Sequence, residues 1–290
     1  MAFLSAKGAP GTTTTALLCA ALWPRPVLLV DADPQGGDIA LRLPRADGLP
    51  VDRDRGLLSL LPLARRELLP SVLPEHAQTL AGGTEVLAGL TGPQQAGAAG
   101  QLWQHLAHAF TRTADRDVLV DCGRVSPGDV HLPVVARADT AVWVVRPTVS
   151  GVVHARERIA ALRPMLVSPD GRPPRVGVVL VVGPGGERDA SGVSRLIERD
   201  LPGVELFGVL SNDPEGAAVF DGAPISRPER TLLVRSARPI VASIAATVGA
   251  TAQRSSVAST WVPGQVEEPV APSGRSRRAG RRPRTLEEQS

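Results

Sequence analysis

Three groups of side chains carry the chemistry this sequence can do. The first is Lys7-Gly8-Ala9-Pro10-Gly11-Thr12-Thr13-Thr14, set between a short apolar run, Ala2-Phe3-Leu4, and a helical pattern over Ala16–Leu22. A strand, a glycine turn and a hydroxyl-rich helix start bring successive backbone N–H groups onto one anion, and the helix N-terminus adds its positive end. Gly8 and Gly11 suit such a loop, which needs unusual backbone angles and close approach. Thr13 stands where the loop hydroxyl holds Mg²⁺. The second group is Asp31 and Asp33, closing the apolar run Pro26–Val30. The third is Asp121, closing Asp117-Val118-Leu119-Val120 and followed two residues later by Gly123. Carboxylates at such strand ends offer the hard oxygen ligands that Mg²⁺ takes.

To bring these groups together, their carriers must be parallel strands. The runs Pro26–Asp31, Asp117–Gly123, Asp139–Pro147, Arg175–Val182 and Val204–Leu210 are short and mostly apolar, as strands buried on both faces are. Helical patterns alternate with them, over Val149–Leu162, Ala190–Leu201 and about Pro239–Val248. The alternation predicts a doubly wound α/β domain with a mostly parallel sheet of about seven strands flanked by helices. In such sheets the crevice beyond the carboxyl ends of the strands binds ligands. A further helix is predicted over Gln94–Thr111, with Leu102, Leu106 and Phe110 on one face.

The loop departs from the pattern G-x-x-x-x-G-K-[ST]: Ala6 replaces the first glycine and Thr12 the lysine. By position it is the variant K-G-G-x-G-K-[ST] with one glycine and the second lysine replaced. Lys7 is the only lysine in the chain. Asp31-Ala32-Asp33-Pro34-Gln35-Gly36-Gly37-Asp38 and the Ala-Leu-Arg-Leu after it resemble the second motif of ParA/MinD ATPases. The Gly-Asp-x-Ala-Leu wording is similar to the CpaE/TadZ branch, tied to pilus assembly. Asp117–Gly123 resembles a Walker B strand. The resemblance spans residues 1 to about 250.

It implies a P-loop NTPase fold of the ParA/MinD type, with ATP and Mg²⁺ as cofactors. The loop, Gly8 to Thr14, would cradle the phosphates. Thr13 and Asp121 would hold Mg²⁺, with Asp31 supporting the metal shell and Asp33 positioning the attacking water. Lys7 would reach into a partner subunit's nucleotide in a homodimer. The implied role is a switch protein in chromosome or plasmid partition, or in cell-pole or division-site organisation, with a protein partner. Thr12 removes a positive charge from the phosphates, which points to slow or absent hydrolysis. The alternatives are a non-hydrolysing CpaE/TadZ-like scaffold for pilus or secretion-system placement, and a small-molecule phosphotransferase.

Composition sets the outer bounds. A chain of 290 residues can bury a full core, and 43% hydrophobic content is ordinary for a globular protein. No apolar run is long enough to span a membrane, and the N-terminus has no signal pattern, so the expectation is a cytoplasmic protein. Cys19 and Cys122 fit no metal spacing and read as core residues. His76 reads as a solvated side chain, and His105 with His108 as a solvent-facing pair. From Thr251 the sequence turns to Ser, Pro, Gly, Arg and Glu without periodicity, predicting a disordered tail over 251–290. Its Arg275, Arg277, Arg278, Arg281, Arg282 and Arg284 could touch DNA or an anionic membrane weakly.

Overall fold

A computed structural model describes residues 1–258 apart from 64–66, 169–170 and 185. The elements, in chain order, are β1 (Ala2–Ser5), α1 (Thr12–Ala21), β2 (Val27–Asp31), α2 (Ile39–Arg42), α3 (Leu57–Leu60), α4 (Leu73–His76), β3 (Gln78–Thr79), β4 (Glu85–Leu87), α5 (Pro93–Ala98) and α6 (Leu102–Arg112). Then come β5 (Asp117–Arg124), α7 (Leu132–Arg137), β6 (Thr140–Val145), α8 (Val149–Leu162), β7 (Arg175–Val182), α9 (Glu187–Asp200), β8 (Val204–Ser211), α10 (Pro214–Ala217) and α11 (Leu232–Ala258). The chain divides into two units, Met1–Ala252 and Gln253–Ser290.

The strands form one sheet in the order β3-β4-β2-β5-β1-β6-β7-β8. Every pair is parallel except β3 on β4. The eighth strand, β3, is two residues of antiparallel edge, too short for periodicity to reveal. Side chains alternate between the two faces, as the strand pleat requires. Phe3, Leu29, Leu119 and Val142 pack with α1 and α11 on one face. Leu4, Val30, Val120 and Trp143 pack with α6 and α8 on the other. This is the doubly wound architecture, and it places the ends of β1, β2 and β5 side by side.

Three helices differ from the sequence expectation. The helix expected over Gln94–Thr111 is two, α5 and α6, broken at Gly100, whose φ of +51° a continuous helix excludes. The apolar repeat of Leu102, Leu106 and Phe110 lies wholly within α6. The last helix begins at Leu232, seven residues before Pro239, which sits inside it. Its start is fixed by two side chains rather than by a proline. Thr231 Oγ1 accepts from the Val234 amide at 3.3 Å, and Asp213 Oδ2 accepts from the Leu233 amide at 3.1 Å. The helix also runs to Ala258, past the Thr251 boundary, because no Pro or Gly interrupts 251–258. Residues 259–290, with the six tail arginines, lie outside the described residues.

Candidate functional site

The loop between β1 and α1 is shaped by two left-handed glycines, Gly8 (φ +74°) and Gly11 (φ +97°). A Cβ at either would meet nothing within 4 Å, so the backbone angle, not space, calls for glycine there. Thr15 closes the first turn of α1: its amide and its Oγ1 each donate to the Gly11 carbonyl at 2.8 Å. The amides of Thr12, Thr13 and Thr14 precede any intrahelical acceptor, and no acidic residue occupies the first turn. An anion docking there meets free N–H donors and the positive helix end. Lys7, Gly8 and Ala9 are exposed, Gly11, Thr13 and Thr14 are partly exposed, and Pro10 and Thr12 are buried. Thr12 is 6% exposed and its hydroxyl has no hydrogen-bond partner.

The carboxylates arrive on neighbouring strands. Asp31 on β2 pairs in register with Asp121 on β5, and Asp121 pairs with Phe3 on β1. Registered residues share a face, here the one covered by α1. Asp31 Oδ2 accepts from the Ile39 amide at 3.0 Å, and Asp121 Oδ1 from the Gly123 amide at 3.1 Å. Their other oxygens, Asp31 Oδ1 and Asp121 Oδ2, are buried without a partner. Burial drives the Asp31 pKa up, the Asp121 charge raises it further, and the Ile39 amide opposes both. Burial likewise raises Asp121, opposed by the Thr13 hydroxyl and the Gly123 amide. Asp33, half-buried, is raised by burial and drawn back by the Gln35 amide, which donates to its Oδ1 at 2.8 Å.

The loop and the three aspartates picked from the sequence therefore lie together at the carboxyl ends of the central strands β1, β2 and β5. Several other residues shape the site: Gly37, Gly123 and Arg42 stood within the quoted motifs without an assigned role, and Gly89, Arg146 and His131 stood outside them. A Cβ on Gly37 would come within 2.6 Å of Asp31 Oδ2, and one on Gly89 within 2.9 Å of the same carboxyl carbon. A Cβ on Gly123, whose φ is +59°, would overlap the Asp33 carboxylate. Arg42 Nη1 donates to Thr14 Oγ1 at 3.1 Å, and Arg146 Nη2 to the Ala9 carbonyl at 3.3 Å. His131 is fully buried against Trp103, with Nε2 3.1 Å from the Cys122 carbonyl oxygen. All are contacts between distant segments, which spacing alone does not reveal.

The fit to Mg²⁺ rests on the two orphaned carboxylate oxygens beside the Thr13 hydroxyl. Mg²⁺ takes one or two carboxylates plus substrate phosphate oxygens. Among the described residues no group of three or more His, Cys, Asp or Glu could hold a metal unaided. Cys19 and Cys122 are buried and free, with thiol pKa values pushed up by burial, Cys19 to about 12. His76 is partly exposed, and its Nδ1 lies 2.6 Å from Ser59 Oγ. His105 is half-buried with an unpartnered Nδ1, whereas His108 faces Glu67 and Arg112.

No protein-family model matches the sequence. No curated protein matches it either. Solved structures do. A ParA family ATPase from Chlorobium tepidum TLS superposes with a TM-score of 0.64 at 18% identity, over 83% of this chain and 97% of that one. The fold is that of the ParA/MinD P-loop ATPases. A chain of the MinC:MinD cell division protein complex of Aquifex aeolicus gives 0.59 at 20% identity, over 86% and 94%. The Pyrococcus horikoshii OT3 septum site-determining protein MinD, complexed with Mg-ADP, gives 0.60 at 17%, over 86% and 96%. At these identities the likeness concerns the fold alone. No described helix is long and apolar enough to cross a membrane.

Proposed function

We propose that the chain is a nucleotide-dependent switch of the ParA/MinD kind that binds Mg·ATP and hydrolyses it slowly. The observation that carries this reading is the loop with its free first-turn amides, facing two buried carboxylates whose outer oxygens have no protein partner. Buried polar atoms are normally paired, so an orphaned pair at the end of an anion cradle is a place for a cation. The Pyrococcus MinD structure with Mg-ADP, and a Cyanothece McdA(D38A)–ATP complex of TM-score 0.60, support nucleotide binding in general.

The roles are those that the ParA/MinD resemblance implies. The amides of Gly8, Ala9 and Gly11 to Thr14 would hold the β- and γ-phosphates, Pro10 having no N–H to donate, while Thr13 and Asp121 would ligate Mg²⁺, with Asp31 supporting the shell. Bound Mg²⁺ offsets charge on the phosphate oxygens. Asp33 would orient a water toward the γ-phosphorus; a bond from the water oxygen to that phosphorus forms as the bond to the β–γ bridging oxygen breaks, leaving ADP, phosphate and a proton released to solvent. Such catalysis is mostly positioning and electrostatics. Lys7, exposed at the loop's rim, reaches a second copy's nucleotide, so ATP drives homodimerisation. The switch serves chromosome or plasmid partition, or cell-pole or division-site organisation, through a protein partner. In this reading the protein is cytoplasmic: residues 1–250 are the ATPase-like domain, and the tail over 251–290 touches DNA or an anionic membrane weakly.

One observation favours a second reading. Thr12 puts a buried, unpartnered hydroxyl where a phosphate-reaching lysine would stand. A chain without that charge can keep the fold as a non-hydrolysing scaffold of the CpaE/TadZ kind. Sedimentation velocity with and without Mg²⁺ and a slowly hydrolysed ATP analogue tests the switch. A shift from monomer to dimer that Lys7→Ala abolishes supports it. A mass indifferent to nucleotide removes the switch and leaves the scaffold.

A further inference from the structure

We propose that Arg146 supplies the fixed positive charge that the loop lacks at Thr12, by contacting phosphate oxygens of the bound nucleotide. This rests on the nucleotide-site reading above. Arg146 follows β6 directly, and β6 pairs with β1 from Ala2↔Ala141 to Leu4↔Trp143. The arginine therefore leaves the sheet beside the segment that becomes the loop. Its Nη2 donates to the Ala9 carbonyl at 3.3 Å. A cavity of about 280 Å³ lies between them, lined by Lys7, Ala9, Arg146, Thr148 and Ser150 among others.

Two facts describe how this arginine is held. Its backbone is pinned: the Thr148 amide donates to the Arg146 carbonyl at 2.8 Å, and a Cβ on Gly151 would collide with that same oxygen. The start of α8 thus packs directly on Arg146. Its guanidinium, by contrast, is uncommitted. Arg42, Arg116 and Arg175 pair with Asp221, Glu85 and Glu205. Among the described residues no carboxylate lies within ion-pair distance of Arg146, which holds one neutral carbonyl at a long hydrogen bond. A guanidinium has five donors in a planar fork that matches phosphate oxygens two at a time, and an anionic acceptor adds a charge attraction that a neutral carbonyl lacks. Phosphate in the cradle outcompetes the Ala9 carbonyl, and a small rotation of the side chain re-aims the fork. Arg146 then does from the flank what a lysine at position 12 would do from within the loop.

Calorimetric titration of the full chain with Mg·ATP, and separately with Mg·tripolyphosphate, tests this in the wild type, Arg146→Ala, Arg146→Lys, Thr12→Lys and the Arg146→Ala/Thr12→Lys double variant. The expected result is a loss of roughly 10- to 100-fold in affinity for both probes in Arg146→Ala. Arg146→Lys retains part of the binding, and Thr12→Lys restores most of it in the double variant. Ligand-free melting temperatures of Arg146→Ala and Arg146→Lys should stay at the wild-type value. A merely structural role would lower melting in Arg146→Ala and would not be rescued from position 12. The proposal is overturned if the wild type binds and Arg146→Ala binds equally well, or if Thr12→Lys restores nothing. If the wild type binds neither probe, the nucleotide-site reading itself fails, and this proposal with it.

Discussion

Asp31 and Asp121 sit in register on adjacent parallel strands, and each turns one buried oxygen toward no hydrogen-bond partner. Two carboxylates held this way repel one another and raise each other's cost of ionisation. The fold carries this strain beside the loop between β1 and α1.

Replacing Asp31 with Asn should stabilise the ligand-free protein. The change removes a buried negative charge and its repulsion of Asp121 while keeping an acceptor for the Ile39 amide. We expect a gain of about 1–2 kcal/mol, equivalent to a melting temperature higher by roughly 2–8 °C. The pH dependence has a definite sign. A carboxyl whose folded pKa is raised contributes stability that is present below its unfolded pKa and lost as pH rises through the folded one. The advantage of Asp31→Asn over wild type should therefore be largest at pH 7–8 and shrink on acidification. Thermal melts of both proteins across that range decide the point; a destabilised variant at neutral pH would contradict it.

Magnesium binding should weaken as pH falls, because the raised pKa values of Asp31 and Asp121 make protons strong competitors for their oxygens. Titrations of Mg²⁺ with nucleotide at pH 8 and pH 6 should show tighter binding at the higher pH. Asp121→Asn should bind less tightly at both.

Gly123→Ala should damage turnover more than stability. Its φ of +59° disfavours a side chain, and the new methyl would displace the Asp33 carboxylate. The backbone cost is about 1–3 kcal/mol. A nucleophile-positioning group moved by an ångström costs about 100-fold in rate. Steady-state phosphate release, measured beside Mg·ATP affinity, separates the two effects. Equal loss of affinity and rate would mean that Asp33 acts in binding.

Thr12→Lys should speed hydrolysis. A restored transition-state contact to phosphate contributes about 10²–10³-fold. The lysine stem must leave the buried position of Thr12 to reach the loop's mouth. Unchanged turnover, with nucleotide still bound, would place the rate limit elsewhere.

Asp213 ties the end of the sheet to two helices. Its Oδ1 accepts from the Gly216 amide in α10 and its Oδ2 from the Leu233 amide in α11. Asp213→Ala removes both caps and should cost about 1–3 kcal/mol, read from chemical denaturation. A neutral result would show that Thr231 alone sets the start of α11.

How legible all this was in the sequence depends on range. The bounds of α8 and β7 agree with the sequence reading, because an apolar run or amphipathic stripe ends there at Pro, Thr or Gly. The loop and the three aspartates were legible because each follows a strand in chain order. Gly100 went unseen because the stripe of α6 stays in phase without it. Pro239 misled because a proline is favoured at a helix start yet lies inside α11. Gly89, Gly123 and Arg146 act across strands, so their neighbours in sequence carry no sign of their partners in space.

The central claim is that this loop and these carboxylates bind Mg·ATP. Calorimetry of the purified chain with ATP, in the presence and absence of Mg²⁺, tests it most directly. The account predicts saturable binding that requires Mg²⁺ and weakens when Asp121 is replaced by Asn. No heat of binding at millimolar ATP with Mg²⁺ present would contradict it, and would leave a protein that uses this fold for protein contacts alone.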